Sequence, residues 1–156
     1  MLRSGIALAG ANLTLAGKNI DMKDAEDGIL TAADIVSELE LSSTALVVLS
    51  ACETGLGEVE VGEGVFGLSR SFGLAGAQTL VMSLWQVDDT ITQETMDLLY
   101  ANVAEGRTCS AAVREAQLAM KMKYPAPYFW GAFICHGNPN SIPIRRDETQ
   151  LAGASA

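Results

Sequence analysis

Apolar residues in this chain fall into two rhythms, short uninterrupted runs and longer stretches with helical spacing, and their alternation sets the predicted architecture. The clearest run is Ala45 to Ser50, Ala-Leu-Val-Val-Leu-Ser, which carries no charge at any position. A strand with two dry faces belongs in a sheet covered by helices, so this one is expected to be central. Thr79 to Trp85 reads as a second buried strand, Tyr128 to Cys135 as the last, and Ile6 to Ala9 as a short early one. Helical patterns lie between them. Thr31 followed by Asp34 makes a capping box with Asp in place of Glu, opening a helix that buries Ile35 and Leu39 and ends near Leu41. A helix from about Val65 to Leu74 is closed by Gly76, and Asp88-Asp89 supplies cap and first-turn charge to one that runs to about Glu105, before Gly106. A further helix from Thr108 to Lys123 turns Ala112, Val113, Ala116, Ala119 and Met120 to one face and stops before Pro125 and Pro127. The alternation predicts an α/β domain.

Polar segments fill the gaps. Gly17 to Gly28, with Lys18, Asp21, Lys23, Asp24, Glu26 and Asp27, is expected to be a solvated loop, and residues 143–156 a flexible tail. Ala51 to Gly64 is a long turn in which Gly55, Gly57, Gly62 and Gly64 alternate with Glu53, Glu58, Glu60 and Glu63, read as a mostly solvated face. The length of 156 residues, 49% hydrophobic and 19% charged, fits one compact domain. Nineteen acidic against ten basic residues give a net charge of -9, which opposes direct nucleic-acid binding and attachment to acidic membranes. No run approaches the roughly 18 apolar residues of a membrane span, and the start lacks the apolar core of a secretory signal. A soluble, cytoplasmic protein is expected. Cys52, Cys109 and Cys135 are odd in number and have no close pair, which disfavours a disulfide framework and a zinc site, and no metal or cofactor is implied.

Cys52 is the sharpest chemical signal, because it follows a buried strand at the start of a glycine-rich turn, where α/β sheets place ligands and nucleophiles. Backbone N–H groups at such an edge favour a thiolate and later an oxyanion. The competing reading is a small buried hydrophobe. The segment Leu46-Val47-Val48-Leu49-Ser50-Ala51-Cys52-Glu53-Thr54-Gly55 resembles the catalytic-cysteine segment of the CHAT domain, a family grouped with caspases, separase and other caspase-like cysteine peptidases. The likeness continues through Gly62-Glu63-Gly64-Val65-Phe66-Gly67-Leu68-Ser69-Arg70, Ala75-Gly76-Ala77, Ser83-Leu84-Trp85-Gln86-Val87-Asp88 and Tyr128-Phe129-Trp130-Gly131-Ala132-Phe133. Upstream, Ser4 to Asn12 and Asp27 to Ala32 also resemble it.

The resemblance implies a caspase-like three-layer α/β/α sandwich over residues 1–142, with Cys52 as nucleophile of a cysteine endopeptidase that cuts a protein or peptide. In this type of peptidase a histidine precedes the cysteine in the chain, at about 50 residues in caspases. Met1 to Ala51 contains none. The expectation is therefore the C-terminal part of a CHAT domain, incomplete at its N-terminal side, inactive by itself and prone to self-association through an uncovered edge. The sole histidine, His136, is read as a surface residue and not as a substitute base, while Cys109 and Cys135 are read as packing thiols. Trp85 and Asp88 are candidate walls of a substrate cleft, against the simpler roles of core residue and helix cap. Glu53 either tunes the nucleophile or meets a basic substrate group. Helical repeats elsewhere in a parent chain are an implied partner. The competing class is a noncatalytic interaction domain with the same fold.

A weaker alternative is a dinucleotide-binding domain, since Gly62, Gly64 and Gly67 match the G-x-G-x-x-G spacing with Asp88 about twenty residues on. That fingerprint needs its first glycine in the tight turn after a strand, and Glu58, Glu60 and Glu63 would face the pyrophosphate. Calorimetry with NAD and NADP at millimolar ligand is expected to show no saturable heat. Saturable binding of either would restore the nucleotide reading.

Overall fold

The computed structural model describes residues 5–17, 28–50 and 63–141. Its spine is a three-stranded sheet of β3 (Val47–Leu49), β4 (Thr79–Ser83) and β5 (Phe133–Gly137), in the order β3-β4-β5. β3 runs parallel to β4, with Val47 beside Leu80 and Leu49 beside Met82, and β5 runs antiparallel, with Phe133 beside Ser83 and Gly137 beside Thr79. All five residues of β4 are buried. Among the described residues the central strand is thus β4, and β3 is half-buried with one strand neighbour. The expectation that Ala45 to Ser50 would be central is corrected here. An uncharged run reports that both faces are dry, and both are, but says nothing about whether both edges are paired.

Alternate residues of the sheet enter two cores. Leu80 and Met82, with Val47, Leu49 and Ile134, meet Ala32 and Ile35 of α2 (Ala32–Glu38) and Leu68, Phe72 and Ala75 on and just beyond α3 (Glu63–Leu74). Val81 and Phe133, with Val48 and Cys135, meet Ile91, Leu99 and Val103 of α4 (Asp89–Ala104) and Ala112, Val113, Ala116 and Met120 of α5 (Cys109–Lys123). Helices therefore cover both faces, as the sequence predicts for an α/β domain. α5 departs from its predicted face at one place, since Ala119 points to solvent while Ala116 and Met120 are buried.

Two elements extend the first core. β1 (Gly5–Ala7) pairs antiparallel with β2 (Ile29–Thr31) in a separate two-stranded sheet, and Ile6 and Leu30 pack against the α2–α3 side. β1 ends two residues earlier than the sequence suggests, where α1 (Ala11–Leu15) follows. β2 and α1 were not predicted, because three to five residues are too few to establish a period. The predicted strand from Tyr128 is also corrected. Pro127 occupies the first turn of a short helix, α6 (Pro127–Trp130), a position its fixed φ suits, and the strand begins only at Phe133. The polar excursion of residues 18–27 and the tail of residues 143–156 lie outside the described residues.

Local capping signals in the sequence are realised. The Thr31 hydroxyl accepts from the Asp34 N–H at 3.2 Å and the Asp34 carboxylate accepts from the Thr31 N–H at 2.9 Å. The Thr31 hydroxyl also donates to that carboxylate, and together these bonds hold the Asp34 carboxyl below its ordinary pKa. At the end of α3, the Gly76 N–H donates to the Gly73 carbonyl at 3.1 Å and the Ala77 N–H to the Phe72 carbonyl at 3.0 Å, a Schellman closure with Gly76 at φ 106°. Gly106, at φ 83°, closes α4 the same way through Val103 and Asn102. The two glycines differ in their surroundings. A Cβ on Gly76 would lie 2.7 Å from the Ser42 nitrogen, whereas one on Gly106 would meet nothing within 4 Å.

Gly106→Ala is therefore expected to lose about 1 kcal/mol of stability from the left-handed conformation alone, and Gly76→Ala roughly 2 to 3 kcal/mol because the backbone of Ser42 must also move. Urea unfolding of both variants tests the order. Equal losses would show that the Gly76 contact relaxes freely.

Candidate functional site

Because β3 and β4 are parallel, both chains leave the sheet at the same end. β3 gives way to Ser50, which is exposed. The residues that follow, including the predicted nucleophile Cys52 and its neighbour Glu53, lie outside the described residues. β4 continues into Leu84, whose N–H donates to the Ala132 carbonyl at 2.8 Å, and then into Trp85.

Trp85 is neither a core residue nor a loose surface one. Its side of the loop is anchored by Val87, only 4% exposed, while Trp85 itself is 36% exposed. The indole N–H donates to the Tyr128 carbonyl at 3.0 Å, and in return the Tyr128 hydroxyl donates to the Gln86 carbonyl at 2.6 Å. The rings stack with centroids 6.5 Å apart and planes 26° apart. Gly131, the C-cap of α6, lies beside the indole, and a Cβ there would reach ordinary contact with the Trp85 ring at 3.6 Å but crowd the Pro127 carbonyl at 2.9 Å. Tyr128 is in turn edge-on to Phe129, at 5.4 Å, and Phe129 packs against the α4–α5 core. Sequence reasoning missed the Tyr128 and Gly131 contributions because it read the segment as strand. The usable signal was Pro127, which favours a helical first turn directly before Tyr128.

Asp88 is the N-cap of α4, one carboxylate oxygen accepting from the Thr90 N–H at 2.9 Å. Among the described residues, the Trp85–Tyr128 pair and Asp88 form a surface at the end of the sheet where the Cys52 segment departs.

Comparison with known proteins gives this surface a context. The sequence profile of the CHAT domain matches residues 1–138. The chain belongs to the CHAT domain family. It is similar to tetratricopeptide repeat protein 28 of Homo sapiens, 31% identical over 120 residues and 76% of this chain. The Mus musculus protein of the same name is 32% identical over 112 residues, 70% of this chain. The match takes in 5% of the human and 4% of the mouse protein, so the chain spans about a twentieth of these curated relatives. No solved structure matches it.

Within this CHAT domain, His136 lies inside β5 and is exposed, where the sequence had put it just after the strand. It is opposite Leu80, which is beside Val47, at the beginning of β3. The Cys52 segment leaves from the other end, beyond Leu49. Two residues of register and two strands separate His136 from Leu49, roughly 7 Å along the sheet and 10 Å across it. Cys109 is fully buried at the start of α5, its sulfur 3.2 Å from the Ser141 hydroxyl. Cys135 is half-buried against the α4–α5 core, and burial, together with the nearby Cys109, pushes its thiol pKa up. Of the glycine pattern, Gly62 lies outside the described residues and Gly64 and Gly67 lie within α3. Thirteen residues, 50–62, separate β3 from α3 in the chain, whereas the fingerprint has its first glycine in the tight turn directly after the strand. Among the described residues no helix is long and apolar enough to cross a membrane.

A raised pKa keeps Cys135 protonated and unreactive at neutral pH, and Cys109 is closed to solvent. Limiting iodoacetamide at pH 7.5 is expected to label Cys52 before either, read by peptide mass spectrometry. Earlier labelling of Cys109 or Cys135 would remove Cys52 as the reactive thiol.

Proposed function

We propose that this CHAT domain carries the nucleophile of a caspase-like cysteine endopeptidase that cuts a protein partner. The helix-covered sheet is read as the three-layer α/β/α sandwich of that class. Cys52 attacks the scissile carbonyl as thiolate, the C–N bond breaks to leave an acyl-enzyme, and water then releases the acyl group. Backbone N–H groups at the sheet end hold the oxyanion. A histidine outside these 156 residues takes the thiol proton and gives it to the leaving amine. One observation carries the reading: in a chain of the CHAT family the segment Ser50-Ala51-Cys52-Glu53-Thr54-Gly55 follows β3, at the end of the sheet from which the parallel β4 leads into the clasped Trp85–Tyr128 pair. Trp85 walls the cleft in this reading, Glu53 flanks the nucleophile, and Asp88 contributes the carboxylate oxygen that does not cap α4. The tetratricopeptide repeats in the names of the relatives support a repeat-bearing parent protein as the source of partner recognition.

The position of His136 favours a second reading, a noncatalytic interaction domain in which Cys52 is incidental. The chain's one histidine is in register with the wrong end of β3.

Peptide-library cleavage separates the two. The 156-residue chain is expected to turn over slowly or not at all, because a thiol of pKa near 8.5 is only a few per cent thiolate at pH 7 and general base help is worth about 100- to 10,000-fold. A form that also carries the family's histidine is expected to cleave, and to stop on Cys52→Ala. No cleavage by that form would leave the interaction domain. Turnover by the 156-residue chain that vanishes in His136→Ala would make His136 the base and overturn the proton route.

A further inference from the structure

We infer that Tyr128 is a positioning residue for peptide recognition, acting through Trp85 by holding the indole in one exposed orientation. The inference rests on the peptidase reading and extends it to a residue on α6 that acts through the indole.

The two side chains are reciprocally bonded, each to the other's stretch of backbone: Trp85 Nε1 to the Tyr128 carbonyl at 3.0 Å, Tyr128 Oη to the Gln86 carbonyl at 2.6 Å. A free surface tryptophan samples several rotamers and loses that freedom when a ligand packs on it. Here the freedom is already gone. The indole donor is used, the ring is stacked on Tyr128, and the α6 C-cap Gly131 lies beside it. Over a third of Trp85 nevertheless remains open to solvent, next to Leu84, which is 40% exposed. Such pre-ordered aromatics lower the entropic cost of binding an extended peptide.

Surrounding charge narrows the peptide. Asp88 and Asp89, three and four residues beyond the indole in the chain, make no ion pair among the described residues, while Glu94 and Glu105 are paired with Lys123 and Arg107. A side chain with apolar or cationic surface suits an indole in that field, and an acidic one does not.

The hydroxyl of Tyr128 is separable from its ring and carbonyl. Tyr128→Phe keeps the stack and the indole acceptor and removes only the bond to Gln86. The probe is a pool of tripeptidyl chloromethyl ketones with varied side chains, whose rate of Cys52 alkylation is divided by that of iodoacetamide, so that thiol reactivity cancels. In the unsubstituted protein the pool is expected to be favoured. Tyr128→Phe should lower the ratio about three- to tenfold, the worth of one hydrogen bond, with the iodoacetamide rate unchanged. Trp85→Ala should lower it at least as far, and the double variant should match Trp85→Ala alone. An undiminished ratio in Tyr128→Phe, or an additional loss on top of Trp85→Ala, would overturn the positioning role while leaving the peptidase reading intact. Absence of any peptide preference in the unsubstituted protein would sink the peptidase reading, and this inference with it.

Discussion

Strand β4 has no surface left for water, and the rest of the domain is arranged by that constraint. Its side chains alternate between two cores, and its edges are taken by β3 and β5. A strand so enclosed cannot slide, because a one-residue slip would carry Leu80 and Met82 into the core shaped for Val81. Everything paired to it inherits a fixed register. The parallel partner therefore ends level with it, and the loop after β4 and the segment after β3 emerge side by side.

The two ends of this sheet are built from different chemistry. At the start of β4, the Thr79 hydroxyl donates to the Asn138 carbonyl at 2.8 Å and lies 3.0 Å from the Ser141 hydroxyl. Ser141 donates to the Ala45 carbonyl, its own carbonyl accepts from the Cys109 N–H, and its hydroxyl meets the Cys109 sulfur. This buried polar knot ties the approach to β3, the start of β4, the exit from β5 and the first residue of α5, with its polar groups satisfied inside the protein. The other end carries the exposed Leu84 and the clasped pair Trp85 and Tyr128, so the aromatic surface lies at the end away from this knot.

What could be read from the sequence follows the range of the interactions involved. The Thr31–Asp34 box, the Asp88 cap and the glycine closures at Gly76 and Gly106 depend on residues a few positions apart, and all four are where the sequence places them. The rank of β3 in the sheet depends on which strands pair, a nonlocal matter that its apolar run does not encode. α6 failed for another reason: Tyr-Phe-Trp is apolar and aromatic, which suits a strand, and only Pro127 argued otherwise. For the site, spacing led to the strand end and to Cys52, but the choice between nucleophile and packing thiol came from the family resemblance. Trp85, for which the sequence allows cleft wall or core residue, is 36% exposed and so does not belong to the core. Asp88 caps α4 through one carboxylate oxygen.

The register argument reaches the proton as well as the peptide. A histidine on β5 would sit near the departing end of β3 only if it stood at the start of that strand, since β5 runs antiparallel and begins where β3 and β4 finish. Position 133 or 134 meets that condition, and these are Phe133 and Ile134, both in contact with the cores. His136 is two to three residues too late in the chain and points to solvent. Moving it into reach would mean shifting β5 along β4, which the buried Phe133 and the bond from the Gln117 side chain to the Phe133 carbonyl, 2.8 Å, both resist. The strand that carries this chain's only imidazole therefore holds it level with the start of β3 and not with its end.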